Sequence, residues 1–203
     1  MYIGHVLENR PLDMKEFDPT ALARVAHSHL ESIREPRRRQ ILENFIEHAE
    51  AEASGQYDRL MASCSKQRQS YTIYGAPGGE LLPQSYPELE KHYHGLIAAN
   101  LYLIHFECEK LAVGDDVLYV EGLVHQLYPG QLIEPIFGLA VDEPDAVYQL
   151  TKRTAITFVF DEDGLGAGEH AFADGPTTPQ DLSKVAPELI PQAFHENPLA
   201  PTP

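Results

Sequence analysis

Positive charge is scarce in this chain. Lys and Arg number 15 against 31 Asp and Glu in 203 residues, a formal net charge of −16. That balance repels nucleic-acid phosphates and anionic lipid headgroups, and excludes both as expected partners. Cysteine is scarce too: Cys64 and Cys108 stand alone, without the CxxC spacing of a redox pair or zinc knuckle, so reduced, half-buried thiols are expected. There is no GxxxxGK[ST] or GxGxxG. The glycine-rich run Gly164-Leu165-Gly166-Ala167-Gly168 follows an acidic turn and leads into a strand pattern, so no phosphate cradle and no nucleotide cofactor are expected. No apolar run is long enough to span a bilayer. The start, Met1-Tyr2-Ile3-Gly4-His5, lacks a basic segment followed by an apolar one, which predicts a cytoplasmic protein with no membrane contact.

What is present suits one folded domain. With 43% hydrophobic and 23% charged residues the composition is globular, and the length is enough to bury a core. Residues 1–35 read as an N-terminal extension with a short helix after Asp18-Pro19, striped by Leu22, Val25, His29 and Leu30. A stronger helix is predicted over 36–53, where Ile41, Leu42, Phe45, Ala49 and Ala53 recur at helical spacing and Gly55 ends the run. A short helix over 57–64 and a β-branched, aromatic strand over 69–74 follow, then a loop over 75–79 and a helix capped by Ser85. Strand patterns over 102–113, 117–128, 147–160 and 165–174 come last, with hairpin turns at 114–116 and 161–164. Helices first and hairpins afterwards predict an α+β fold, the helices lying on one face of a curved, mostly antiparallel sheet. Residues 36–174 form that domain. Within it, 130–146 carries Leu132, Ile133, Ile136, Phe137, Leu139 and Val141 without a clear period, which suits a pocket lid or an oligomer contact. The tail, 175–203, holds 7 of the 16 prolines and reads as an extended arm that lies on a partner subunit or is disordered towards its end.

Several polar residues fall where apolar ones are expected. His48 and Glu52 share the helix face of Ile41 and Phe45, one turn apart, as a surface pair near a fraying end or as a pair aimed into a pocket. In the 117–128 strand, Glu121 shares a face with Val117, Tyr119, Leu123 and His125, and the other face is equally apolar. A carboxylate there needs a partner, a pocket or a proton; the competing reading is a salt bridge at a dimer seam. Alternation in the last strand leaves open whether Glu169 or His170 looks inward.

Taken in order, these segments resemble the SnoaL-like polyketide cyclase family of the nuclear transport factor 2-like superfamily, over about residues 40–174. The resemblance rests on the helix and turn His48-Ala49-Glu50-Ala51-Glu52-Ala53-Ser54-Gly55-Gln56-Tyr57-Asp58 and on the strand Tyr71-Thr72-Ile73-Tyr74. It rests also on Glu90-Lys91-His92-Tyr93-His94-Gly95-Leu96, on Gly114-Asp115-Asp116-Val117-Leu118-Tyr119-Val120-Glu121-Gly122, and on Phe158-Val159-Phe160-Asp161-Glu162-Asp163-Gly164 leading to Glu169 and Asp174. It implies a cone-shaped roll whose sheet encloses a deep apolar cavity, commonly in a homodimer, with His48, Glu52, Tyr74, Tyr93, Glu121 and Glu169 lining or bordering that cavity. The chain departs from the family pattern at Glu90, where arginine is frequent, in the 130–146 insertion, and in both terminal extensions. The superfamily spans many reactions and some proteins without catalysis, so the resemblance does not select a reaction.

If Glu52, Glu121 and Glu169 meet His48 in an apolar hollow, desolvation and mutual repulsion keep at least one carboxyl protonated. A carboxylate base beside a carboxylic acid serves elimination, cyclisation or isomerisation without a cofactor. The expectation is therefore a cofactor-independent lyase, dehydratase or cyclase for a bulky aromatic or polycyclic small molecule. Glu121 and Glu52 are the expected acid and base, His48 their proton partner, and Tyr74, Tyr93, His125, Glu169 and Phe137 the substrate contacts. Retro-aldol release of formaldehyde from an aryl propanediol is one concrete form of this chemistry. Two rivals come from other classes: a divalent-metal site built from His48, Glu52, Glu121 and His125, and a non-catalytic binding or oligomerisation module.

Overall fold

A computed structural model of the chain describes residues 9–74 and 82–199. The elements run α1 (Ala21–Leu30), α2 (Pro36–Ala53), α3 (Tyr57–Ala62), β1 (Ser70–Tyr74), α4 (Tyr86–Ala98), β2 (Ile104–Val113), β3 (Val117–Pro129), α5 (Ile133–Phe137), β4 (Val147–Phe160), β5 (Gly166–Ala173), β6 (Leu182–Lys184) and α6 (Gln192–His195). Helices come first and hairpins follow, as the α+β reading expects. The loop expected over 75–79 lies outside the described residues.

The central helix, α2, has ends written in its sequence. The Glu35 carboxylate accepts the Arg37 and Arg38 amides, Pro36 fills the first turn, and the chain leaves through Gly55 at φ 62°. The sheet has the order β1-β5-β4-β3-β2, with β6 paired to β4. Every pairing is antiparallel except β1 with β5. Register shifts in β2, between Cys108 and Lys110, and in β4, between Val159 and Phe160, interrupt the ladders of the curved sheet, which stays open rather than closing into a barrel.

Alternation along the strands divides the sheet into two faces. Phe106, Leu118 and Val120 pack with Ile41, Leu42 and Phe45 of α2, and the Phe158 ring meets Phe45 edge-on at 4.8 Å. This is the helix-covered face. Glu169 pairs with Phe158, and Tyr71 pairs with Glu169, so both belong to the same face. Tyr119, Glu121 and His125 alternate with Leu118 and Val120, which puts them on the opposite, back face. At the β1–β5 edge, Leu89, Tyr93 and Ile97 of α4 pack with Leu60, Met61, Cys64 and Tyr71.

The first and last described segments lie on this frame. Residues 9–18 cross the back face: Asn9 bonds Asp174, the Leu12 backbone bonds Gln149, and the Asp18 amide bonds His105. The proline-rich arm folds onto its own chain: β6 adds to β4, the Val185 amide bonds the Val147 carbonyl, and Asn197 bonds the Ile97 and Ala98 carbonyls at the end of α4. Open backbone groups at the 148–150 end of β4 and at the α4 terminus need partners, and the arm supplies them. The 130–146 insertion gathers Ile133, Phe137, Leu139 and Val141 against Tyr128, Tyr148 and Leu150 in a satellite cluster.

Candidate active site

On the helix-covered face, beside the β1–β5 edge, polar side chains from five segments meet among apolar ones. α2 brings His48 and Glu52, because 3.6-residue periodicity stacks them on the face of Ile41 and Phe45. The turn after α3 brings Ser63 and Cys64, β1 brings Tyr71, α4 brings Tyr93, and β5 brings Glu169.

His48 is 7% exposed and is held at both nitrogens. Its Nδ1 lies 2.9 Å from Ser63 Oγ and its Nε2 3.1 Å from Tyr93 Oη. Ser63 already donates to the Leu60 carbonyl at 2.6 Å, and Tyr93 donates to Glu169 Oε1 at 3.0 Å. With both hydroxyl protons committed, each oxygen is left to accept, so both ring nitrogens donate and the ring is an imidazolium. Burial opposes that charge, but the Cys64 sulfur, 3.8 Å from Nδ1, and the Glu169 carboxylate, 3.6 Å from Nε2, outweigh it and raise His48 well above its ordinary value. Tyr71 completes the chain by donating to Tyr93 Oη at 3.1 Å. Burial, reinforced by Glu169, raises both phenols well above 10, so they act as neutral donors.

Glu52 differs from the rest. Burial is the largest influence on it; His48 pulls its pKa down and Glu169 pushes it up, and it settles at about 7. It thus stands near half-protonation at neutral pH beside a carboxylate and an imidazolium. His92 of α4, its ring 5.5 Å from that of Tyr93, is depressed by burial against the opposing pull of Glu169. The same face continues past Glu169 through the partly exposed apolar residues Ala171, Ile156, Val124 and Ile73.

Four residues expected in this site lie elsewhere. Glu121 is on the back face in an ion cluster: both its oxygens are 2.9 Å from Lys110 Nζ, Tyr119 donates to it at 2.7 Å, and Arg153 stands 4.0 Å away. Bonding to Lys110 and Tyr119 holds it below the usual carboxylate value. The expectation that it shares a pocket with Glu52 is corrected by one step of strand alternation. His125 is also on the back face, wholly buried between Thr151 and Glu107. Tyr74 is the back-face neighbour of Ile73, 48% exposed and stacked on Phe172 at 4.4 Å. Phe137 packs on Tyr128 in the satellite cluster. The set His48, Glu52, Glu121 and His125 is therefore split between two faces and cannot share one metal ion. Among the described residues no group of three or more His, Cys, Asp or Glu side chains is placed to hold one.

Sequence reasoning missed Tyr71, Ser63, Cys64 and His92. Tyr71 had a signal: it lies three residues before Tyr74 and therefore on the opposite face of the strand, but which of the two faces looks inward was not legible. Ser63 and Cys64 had none, because a turn after a short helix carries no periodicity.

No family model matches the chain, and no curated protein sequence matches it. Solved structures share its fold. A protein of Shewanella putrefaciens CN-32 classed as a SnoaL-like polyketide cyclase superposes with a TM-score of 0.53 at 10% identity, over 76% of this chain and 88% of that one. Another protein so classed, from Jannaschia sp. CCS1, superposes with a TM-score of 0.50 at 11% identity, over 70% and 90% of the two chains. The chain thus shares the α+β fold of these two structures. Identities this low speak for the fold alone.

Proposed function

We propose that this chain, built on the fold of SnoaL-like polyketide cyclases, is a cofactor-independent acid/base enzyme for a bulky, ring-containing small molecule. The observation that carries the reading is the convergence of Glu52, at about 7, with His48, Glu169, Tyr93 and Tyr71 on one largely apolar face. A group that titrates near the working pH can both take and return a proton. When a substrate oxygen displaces the Tyr93–Glu169 bond, Glu169 is freed as a carboxylate base. Tyr93, whose oxygen accepts from both His48 and Tyr71, becomes a strengthened donor to that oxygen. Glu52, in its protonated form, gives a proton to the leaving oxygen or to the carbanion, and the proton taken up by Glu169 is exchanged back to Glu52 or to solvent before the next turnover. Loss of water, ring closure and isomerisation all use these steps, as does retro-aldol loss of formaldehyde, in which the base deprotonates a primary alcohol and the adjacent carbon–carbon bond breaks.

The test is a screen of aromatic diols and polyketide-like compounds with product identification by mass spectrometry. Glu169→Gln and Tyr93→Phe are expected to lower kcat on the substrate found by about 10²-fold or more while the fold persists. Full turnover by Glu169→Gln would refute the assignment. The second reading, a binding module, is favoured by one observation: His48, Ser63, Tyr93, Tyr71 and Glu169 satisfy one another without a ligand. Compounds that bind and are returned unaltered would support it. We also propose a homodimer formed through the exposed Tyr74–Phe172 stack on the back face.

A further inference from the structure

The back face carries a second polar cluster, beneath the N-terminal strap of residues 9–20. His105 is 8% exposed, and its Nδ1 accepts the backbone N–H of Asp18 at 3.0 Å. That bond exists only while Nδ1 is unprotonated, so it fixes a neutral ring with its proton on Nε2. Phe17 lies over the ring at 6.0 Å, and His125 stands 5.9 Å away, wholly buried between Thr151 Oγ1 at 3.0 Å and Glu107 Oε2 at 3.2 Å. The other charged groups facing the pair are Arg10, 3.6 Å from Glu107, and Arg24 of α1, ion-paired to Asp18. The strap's remaining anchors are of another kind: the Leu12 backbone holds the Gln149 amide, Gln149 meets Met14 Sδ, and Asn9 meets Asp174. Met14 and Phe17 pack on the cluster that contains the fully buried Leu103 and Leu127.

We infer that the strap is an acid-released clasp, in which protonation of His105 turns the acceptor of the Asp18 amide into a donor and lifts residues 9–20 from the back face while the sheet stays folded. Two donors then oppose each other across 3.0 Å, and a further positive charge arrives beside those of Arg10 and Arg24. Burial, His125 and Arg24 push His105 down to about 4, against the pull of Glu107. Burial likewise depresses His125, against Glu107 and with help from Arg10. The sign follows. A histidine whose pKa is lower in the clasped state than in the open one favours clasping above about 6.5, and loses that preference as pH falls from there towards about 4. Over the whole window the opening constant rises on the order of a hundred-fold.

The test is hydrogen exchange on the full chain between pH 7 and pH 4.5, expressed as protection factors. Peptides from 9–20 are expected to lose protection about ten-fold or more, while peptides from β3 and β4 keep theirs. His105→Asn, whose Oδ1 accepts at the place of Nδ1 but does not titrate, is expected to hold the strap at both pH values. Imidazole ¹⁵N shifts of the wild-type chain need no variant, and are expected to show Nδ1 unprotonated at neutral pH, with a midpoint that coincides with strap release. The inference is overturned if the strap stays protected at pH 4.5, opens only together with β3 and β4, or opens equally in His105→Asn.

Discussion

Burial raises the proton affinity of Glu52, and its cost appears in stability as well as chemistry. Its folded-state value of about 7 lies above the ordinary 4.5, so the folded chain binds the proton more tightly. Its contribution is least unfavourable below about 4.5, and worsens as pH rises to about 7. Glu52→Gln is therefore expected to raise Tm at pH 8 by a few degrees and to change it little at pH 4.5, measured by thermal melts at the two pH values. His48 has the opposite sign: raised above 6.5, it stabilises fully below that value, and the stabilisation is lost as pH climbs through its folded value. Tyr93→Phe removes the donor to Glu169 and the acceptor for His48 at once, and is expected to cost about 1–3 kcal/mol in a urea melt at pH 7. His48 and Glu52 were legible in the sequence because helical spacing alone puts them beside Ile41 and Phe45. Glu121 and Glu169 were not separable, because both faces of their strands are apolar and alternation does not say which face is covered.

At the scale of elements, the site depends on β1 running parallel to β5, which sets Tyr71 opposite Glu169. Gly168 makes that pairing possible. It sits at φ 149°, and a Cβ there would come within 2.0 Å of the Ser70 carbonyl oxygen, so no other residue fits without moving the strands. Gly168→Ala is expected to cost about 2–4 kcal/mol and to separate Tyr71 from Glu169, which a urea melt and the tyrosine NMR shifts would report. The bounds of α2 were readable from Glu35, Pro36 and Gly55, since capping chemistry is local. The parallel partner of β1 was not readable. Two helices' worth of chain and three strands separate Tyr71 from Glu169, and nothing in the strand's own residues names its neighbour.

Across the whole molecule, the segments 9–20 and 182–199 act as fasteners. Asn197 ties the arm to α4 through the Ile97 and Ala98 carbonyls and Asn100 Oδ1. Asn197→Ala is expected to lower stability by about 1–2 kcal/mol and to make the arm susceptible to limited proteolysis. The proposed dimer makes a separate claim: Phe172→Glu is expected to shift the chain to monomer in sedimentation, with the far-UV spectrum unchanged. No helix among the described residues is long and apolar enough to cross a membrane.

By itself, the sequence determined the order of helices and hairpins, the bounds of α2 and β4, and that His48 and Glu52 share the helix face of Ile41 and Phe45. Each of these follows from periods and caps that act within a few residues. Only the tertiary structure decided which face of the sheet the helices cover. That choice separates Glu169 and Tyr71 from Glu121 and Tyr74, and it is made by long-range packing of α2 and α4, which no local pattern encodes.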